Sequence, residues 1–364
     1  MRPGALPLFA HLTSVPTAPF RETAVTRKLM EWLRAHLKGK AMVKRRRGGV
    51  VVAYRGAGDD APALALAAHL DHPAFELSKV TAKGALALKR GGLPPHLLPG
   101  ASVEAFAKDN RDNTPLALGV LGKPAKKTPD LYPLTWTLPP KKGAKLDFAV
   151  LALPACEVKK GWLISRSVDD LLGCAVSLEA VRRLAAAKAK VNVTVLLNRA
   201  EEVGFVGALD MILSRELPSG DSYLSIESSR ELPGSRPGGG PTIRLGDKAS
   251  AFDPNLIALL DAAGANLRKR GVKVQRLRLT GGTCEATAYQ AFGYESAGVA
   301  VPLVNYHNGW GAKAVAPEMV RVRDVHGAVE LLVEAAKLFP SFKLRGALRA
   351  GLKKRHAASL KQLS

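Results

Sequence analysis

Five polar segments of this chain carry residue types that can hold metal ions or move protons: His69-Leu-Asp71, Asp169-Asp170, Glu201-Glu202, Glu227 and His307. Taken singly each reads as ordinary structure, because a lone histidine at a strand end is more often a hydrogen-bonded core residue than a ligand and a Glu-Glu pair is usually a solvated face. Together they offer two imidazoles and several carboxylates, a donor set that suits two zinc-class ions. Cys156, Cys174 and Cys284 are odd in number and widely spaced, so neither a disulfide framework nor a thiolate site is on offer. Two divalent ions ~3.5–4 Å apart need one carboxylate between them and separate ligands to complete each shell. Asp169 can be that bridge, with His69 and Glu227 completing one ion and His307 and Glu202 the other. Glu201, next to a ligand without being one, is the natural general base toward water. Asp71 lies two residues beyond His69 on the same side of an extended chain, where it can hold the other imidazole N–H and fix the tautomer.

Those residues need elements that bring them to one edge. From Glu22 to Leu37 the apolar positions Val25, Leu29, Trp32, Leu33 and Leu37 share one helical face. Val50 to Tyr54 and Ala63 to Leu70 read as strands, the second stopped by Pro73. After Ser165 strands and helices alternate: helix Gly173 to Ala187, strand Val191 to Leu197, helix Val206 to Leu213, strand Tyr223 to Ile226, helix Asn255 to Lys269, strand Val272 to Leu277 and helix Val325 to Leu338. That alternation predicts an α/β fold, a mostly parallel central sheet with helices on both faces, which presents its sites at the carboxyl ends of its strands. Between Ala74 and about Ser165 the texture changes to short β-like pieces, Ala85 to Leu88, Ser102 to Phe106, Pro115 to Leu121 and Phe148 to Leu153, and predicts an inserted small all-β domain. The Pro- and Lys-rich stretch Lys123 to Lys145 reads as a mobile loop. The expected organisation is a discontinuous α/β domain, 1–73 and 165–340, an inserted β domain, 74–164, and a basic, weakly packed tail, 341–364.

The motifs carry a family resemblance. His69-Leu-Asp71, Val168-Asp169-Asp170-Leu-Leu-Gly173-Cys, Ala200-Glu201-Glu202-Val-Gly204-Phe-Val-Gly207-Ala and Asn305-Tyr306-His307 resemble the metal-binding segments of the co-catalytic dizinc exopeptidases. The Glu-Glu-Val-Gly-x-x-Gly-Ala segment is the most specific match. An insertion between His69 and Asp169, instead of after the Glu pair, resembles the tetrahedral, glutamyl and deblocking aminopeptidases. The resemblance implies a barrel-like insertion, two divalent ions, zinc or else cobalt, a cis bond between Asp169 and Asp170, peptide substrates and a homo-oligomer. Three positions depart from the family's pattern: Glu227 stands where it usually has Asp, Cys284-Glu285 where it tends to show Thr-Asp, and Asn305 where it has Arg. The runner-up is a related amidohydrolase or carboxypeptidase for acylated or C-terminal substrates. A catalytically silent relative with a basic, nucleic-acid-binding surface is the rival from another class.

Composition bounds these readings. The chain has 364 residues, 47% hydrophobic and 23% charged, which describes a globular protein of about two domains. No apolar run approaches the ~20 residues of a membrane span, and Met1 to Thr17, cut by Pro3, Pro7 and Pro16, lacks a secretory pattern, so the expected location is the cytoplasm. The net charge is +23, but the clusters Lys44 to Arg47, Lys123 with Lys126 and Lys127, Lys141 with Lys142, Arg268 to Arg270 and Lys353 to Arg355 are scattered, and only 5% of residues are aromatic. A nucleic-acid partner is not expected from that pattern.

Overall fold

The computed structural model describes residues 4–363 apart from 219, 310 and 343. The first three residues and part of the basic tail therefore lie outside the described residues. Eight strands form one sheet in the order Met42–Arg45, Gly49–Arg55, Asn192–Asn198, Leu64–His69, Ser222–Arg230, Ser296–Leu303, Thr242–Arg244, Gln275–Leu277. The central four, from Asn192–Asn198 to Ser296–Leu303, run parallel, so their carboxyl ends share one edge.

Period-2 geometry divides the strand Leu64–His69 between two cores. Leu64, Leu66 and Ala68 face a core shared with the helices Thr23–His36, Val168–Ala186, Pro254–Lys269 and Val322–Leu338. Ala65 and Ala67 face the opposite way, onto Ala208, Met211 and Ala288 of the short helices Val206–Leu213 and Glu285–Ala291. With both faces covered, Leu64–His69 is apolar up to its terminal histidine and buried at every residue.

Six strands between Ala74 and Leu151 close into an antiparallel barrel with its own core, which includes Phe75, Ala87, Val103, Ala117, Tyr132 and Leu134. One expectation is corrected here. Residues 123–145 contain a barrel strand, Leu131–Leu138, hydrogen-bonded on one side to Gly84–Arg90 and on the other to Ala117–Leu121. Its alternation is clear in the fold, with Tyr132, Leu134 and Trp136 inward and Pro133, Thr135 and Thr137 outward. Flanking lysines and prolines hide that pattern in the sequence, and pairing on both sides supplies what local propensity lacks.

Other boundaries shift for similar reasons. The strand expected over Tyr223 to Ile226 runs Ser222–Arg230, because its serine-rich end pairs with Ser296–Leu303, a buried strand that the sequence reading left unassigned. The strand expected over Val272 to Leu277 shortens to Gln275–Leu277. Ala5–Thr13 forms a helix despite Pro7, which sits in the first turn where no backbone donor is needed. No helix among the described residues is long and apolar enough to cross a membrane.

Leu134→Ala should cost about 2–5 kcal/mol by leaving a cavity in the barrel core, whereas Leu138→Ala, at 55% exposure on the same strand, should stay within about 0.5 kcal/mol. Denaturant unfolding of the two variants checks this; equal effects would mean that the strand's inward face is misassigned.

Candidate metal centre

All five polar segments reach the carboxyl edge of the parallel strands. His69 ends Leu64–His69, and its register partner Asn198 ends the neighbouring strand. From Asn198 the chain turns through Ala200, at φ 51°, into a single helical turn at Glu201–Val203. Two backbone N–H groups of that turn donate to Asp71, from Glu201 to Oδ1 at 2.9 Å and from Glu202 to Oδ2 at 3.2 Å. Asp71 therefore anchors the Glu201-Glu202 turn as well as standing near His69. Its backbone carbonyl lies 3.1 Å from His69 Nδ1 and its carboxylate 3.6 Å. Asp169 lies in the non-helical start of Val168–Ala186, where the Asp169–Asp170 peptide bond is cis. Glu227 sits inside its strand, not at the end, and its Oε1 accepts from Ser225 Oγ at 2.6 Å.

Asp169 stands between the histidines. Its Oδ1 is 3.8 Å from His69 Nε2 and its Oδ2 3.5 Å from His307 Nε2. On the His307 side Glu202 Oε1 approaches Nε2 to 3.2 Å, and on the His69 side Glu201 Oε2 approaches to 3.7 Å. Ligand atoms of His69, Asp169 and Glu227 lie within 4.8 Å of one another, as do those of Asp169, Glu202 and His307. A third such group, His69 with Glu201 and Glu202, overlaps both.

This arrangement fits divalent cations. Asp169 Oδ1 and Glu202 Oε1 are buried without a hydrogen-bond partner, which is costly for a carboxylate oxygen unless a cation satisfies it. Burial works against protonation of His69 and His307, yet the carboxylates around them outweigh it and hold both well above the usual histidine range. Burial, then the neighbouring Glu227 and Glu202 charges, raise Glu201 well above an ordinary carboxyl despite the opposing pull of His69. Burial raises Glu227 as well, against His69.

A cavity of about 340 Å³ opens beside this cluster, lined by Asp169, Glu227, Arg244, Leu279, Cys284 and His307 among others. Arg244 is buried, and its Nε lacks a partner. Arg244 and two buried groups behind the candidate ligands, His72 and Glu318, are not among the candidates that the sequence offers, whereas Glu285 stands out there as a departure from the family's pattern. His72 was legible only as part of His69-Leu-Asp71-His72, and Glu318 follows Pro317 in a stretch without any catalytic pattern.

A family model described as M42 glutamyl aminopeptidase matches residues 144–331, just over half of the chain and including Asp169, Glu201, Glu202, Glu227 and His307. The chain belongs to this family. A curated protein of Acetivibrio thermocellus, provisionally named an aminopeptidase, is 26% identical over 178 residues, 48% of this chain and 51% of that protein. The chain thus spans about half the length of the curated relative it matches. His69 and Asp71 lie outside the family match, while likeness of fold covers more than nine-tenths of the chain. The TET1 peptidase of Pyrococcus horikoshii, described as assembling into a tetrahedron or a large octahedral shell, superposes with TM-score 0.72 at 20% identity, covering 92% of this chain and 99% of that one. An aminopeptidase of the archaeon Desulfurococcus kamchatkensis gives 0.75 at 22% identity, over 93% and 96%. A TET aminopeptidase from a marine sediment thaumarchaeote gives 0.76 at 18%, over 92% and 96%.

The carboxylate Glu285 yields a pH prediction. Burial above all, against His69 and the Asn198 amide that donates to it at 2.7 Å, pushes it from 4.5 up to about 8. The folded, metal-free protein then keeps a proton that the unfolded chain releases, so this contribution is full below about pH 4.5 and is lost as pH rises to about 8. Glu285→Gln should flatten the fall in melting temperature of the metal-free protein across that window; an unchanged slope would show that Glu285 is already ionised there.

Proposed function

We propose that this chain is an aminopeptidase that hydrolyses N-terminal residues from peptides. The observation that carries the reading is the placement of Asp169 between His69 and His307, one oxygen toward each, with Glu227 and Glu202 completing two donor sets. His69, Asp169 and Glu227 would hold one divalent cation, and Asp169, Glu202 and His307 a second, with zinc or cobalt matching the mixed imidazole and carboxylate donors. Such cations supply positive charge that brings the pKa of water toward ~7 and polarises a scissile carbonyl.

The protein's own groups do the rest. Glu201 accepts the proton of the attacking water and returns it to the departing amine nitrogen. A carboxyl raised by burial suits both halves of that exchange near neutral pH. Asp71, through the N–H groups of Glu201 and Glu202, keeps the base and its neighbouring ligand in one fixed turn. A carboxylate of the cluster that keeps an oxygen free of the cations would receive a free α-ammonium group and hence a peptide's amino end. Family membership supports the same reaction class. Residues 74–164 act in this reading as an inserted unit available for assembly, and a homo-oligomer is consistent with the shell-forming fold neighbour.

Glu201→Gln should lower kcat by about 10²–10⁴-fold with metal content unchanged, because an amide cannot take the proton. The protein should cleave peptides with a free but not an N-acetylated amino terminus, and exhaustive chelation should abolish that cleavage, with zinc or cobalt restoring it. Full activity after chelation, or preference for the acetylated peptides, would sink the reading.

Glu227 has its own test. Glu227→Ala should reduce bound metal toward one ion per chain, and Glu231→Ala, at an exposed position one residue past the strand, should not. Two ions retained in Glu227→Ala would remove it from the ligand set.

A further inference from the structure

We propose that Glu318 is a positioning residue whose carboxylate sets the spacing between Asp169 and His307, and with it the affinity of the cation position those two share with Glu202. The inference rests on the metal-dependent reading above.

Glu318 is fully buried at the start of the strand Glu318–Arg321. Its two oxygens serve two distant segments of chain. Oε2 accepts from the N–H groups of Val168, at 2.7 Å, and Asp169, at 3.0 Å, while Oε1 accepts from the N–H of His307 at 2.9 Å. One rigid carboxylate therefore ties the backbone of the bridging aspartate to the backbone of a histidine on the far side of the same site.

The need for such a tie is visible in the His307 turn. His307 and Asn308 both have left-handed backbones, φ 50° and 61°, a region that costs a residue with a side chain about 1 kcal/mol or more and persists only where the surroundings over-determine it. Glu318 gives the His307 N–H its acceptor. A second link runs parallel: the His72 ring lies between the Asp169 carbonyl and Asn308 Oδ1, and Asn308 Nδ2 donates to the Arg166 carbonyl at 2.9 Å. Asp169 is held through its N–H by Glu318 and through its carbonyl by His72, which leaves its carboxylate little freedom to drift from His307.

The chemistry calls for a carboxylate in particular. All three bonds are accepted, and a glutamine would turn an NH₂ group toward one of the N–H donors, breaking one half of the tie at almost constant volume. Asp324 provides a matched control elsewhere, since it is also fully buried and its Oδ1 accepts from Gly240 N–H at 2.9 Å, but its carboxylate bonds to the loop at Gly238 and Gly240 and not to a proposed ligand.

The experiment is a titration of the metal-free full chain with cobalt(II), read by its visible d–d absorption and by competition with a chelator, alongside thermal unfolding. Glu318→Gln should weaken one of the two bound ions by about 10–100-fold and change the spectrum of that ion, whereas Asp324→Asn should lower thermal stability without altering cobalt affinity. Glu318→Asp, one methylene too short to serve both segments, should show the same loss and replaces the Gln variant if that one fails to fold. Wild-type affinity for both ions in whichever Glu318 variant folds would overturn the proposal, as would equal weakening in Asp324→Asn. Absence of cobalt binding by the wild type would overturn the metal-dependent reading itself, a result distinct from either.

Discussion

The burial of carboxyl groups at one edge of the sheet is the constraint around which this fold is arranged. Asp71, Asp169, Asp170, Glu201, Glu227, Glu285 and Glu318 are all buried there, and each would cost several kcal/mol if left without compensation. The compensation is largely backbone. Asp71 takes the N–H groups of the Glu201-Glu202 turn, Glu22 takes that of Ala200, Asp170 takes that of Gly173, and Glu318 takes those of Val168, Asp169 and His307. Carboxylates that do not face the centre thus aim the peptide groups of those that do.

This arrangement explains the irregular backbone at the site. Ala200, Phe205, Asn305, His307 and Asn308 all adopt left-handed conformations within the two turns that leave the ends of parallel strands. A regular helix start would direct its first N–H groups along its own axis, whereas these turns direct them sideways, onto buried acids. The same geometry leaves Asp169 Oδ1 and Glu202 Oε1 without a hydrogen bond, facing only the imidazoles of His69 and His307, and that residual deficit is what a cation would relieve.

The barrel reaches into this region. Gly92, just beyond the strand Gly84–Arg90, lies so close to His307 that a Cβ there would collide with its imidazole ring. Its neighbour Gly91, at φ 85°, packs against Pro73, the residue before the first barrel strand. The barrel therefore helps to wall the cavity and is not a remote appendage. The exterior carries the opposite sign from the centre: some of its arginines form ion pairs, such as Arg46 with Glu216 and Arg270 with Glu334, each worth little in water, so the charge of +23 shapes the long-range field more than the fold.

The α/β alternation, the all-β insertion and the five polar segments were legible from sequence because they depend on local period and residue type. His69, Asp169, Glu201, Glu202 and His307 stand at or just beyond the ends of apolar runs, where any open parallel sheet exposes polar groups. Glu227 was legible as a candidate, but its place inside a strand was not, because Ser225, Ser228 and Ser229 give no apolar signal and only pairing with Ser296–Leu303 extends the strand past it. The strand Leu131–Leu138 was hidden for the same reason, since its stability comes from partners on both sides. Glu318 and His72 could be found only in three dimensions, and Glu285 shows in the sequence only as a departure from the family's pattern, not as a buried group. What distinguishes them is burial and which backbone or side-chain groups of distant segments they meet, and neither quantity is carried by spacing along the chain. Residue chemistry and periodicity thus determined which groups could act, while long-range pairing and the desolvation of charge decided which of them meet and what holds them in place.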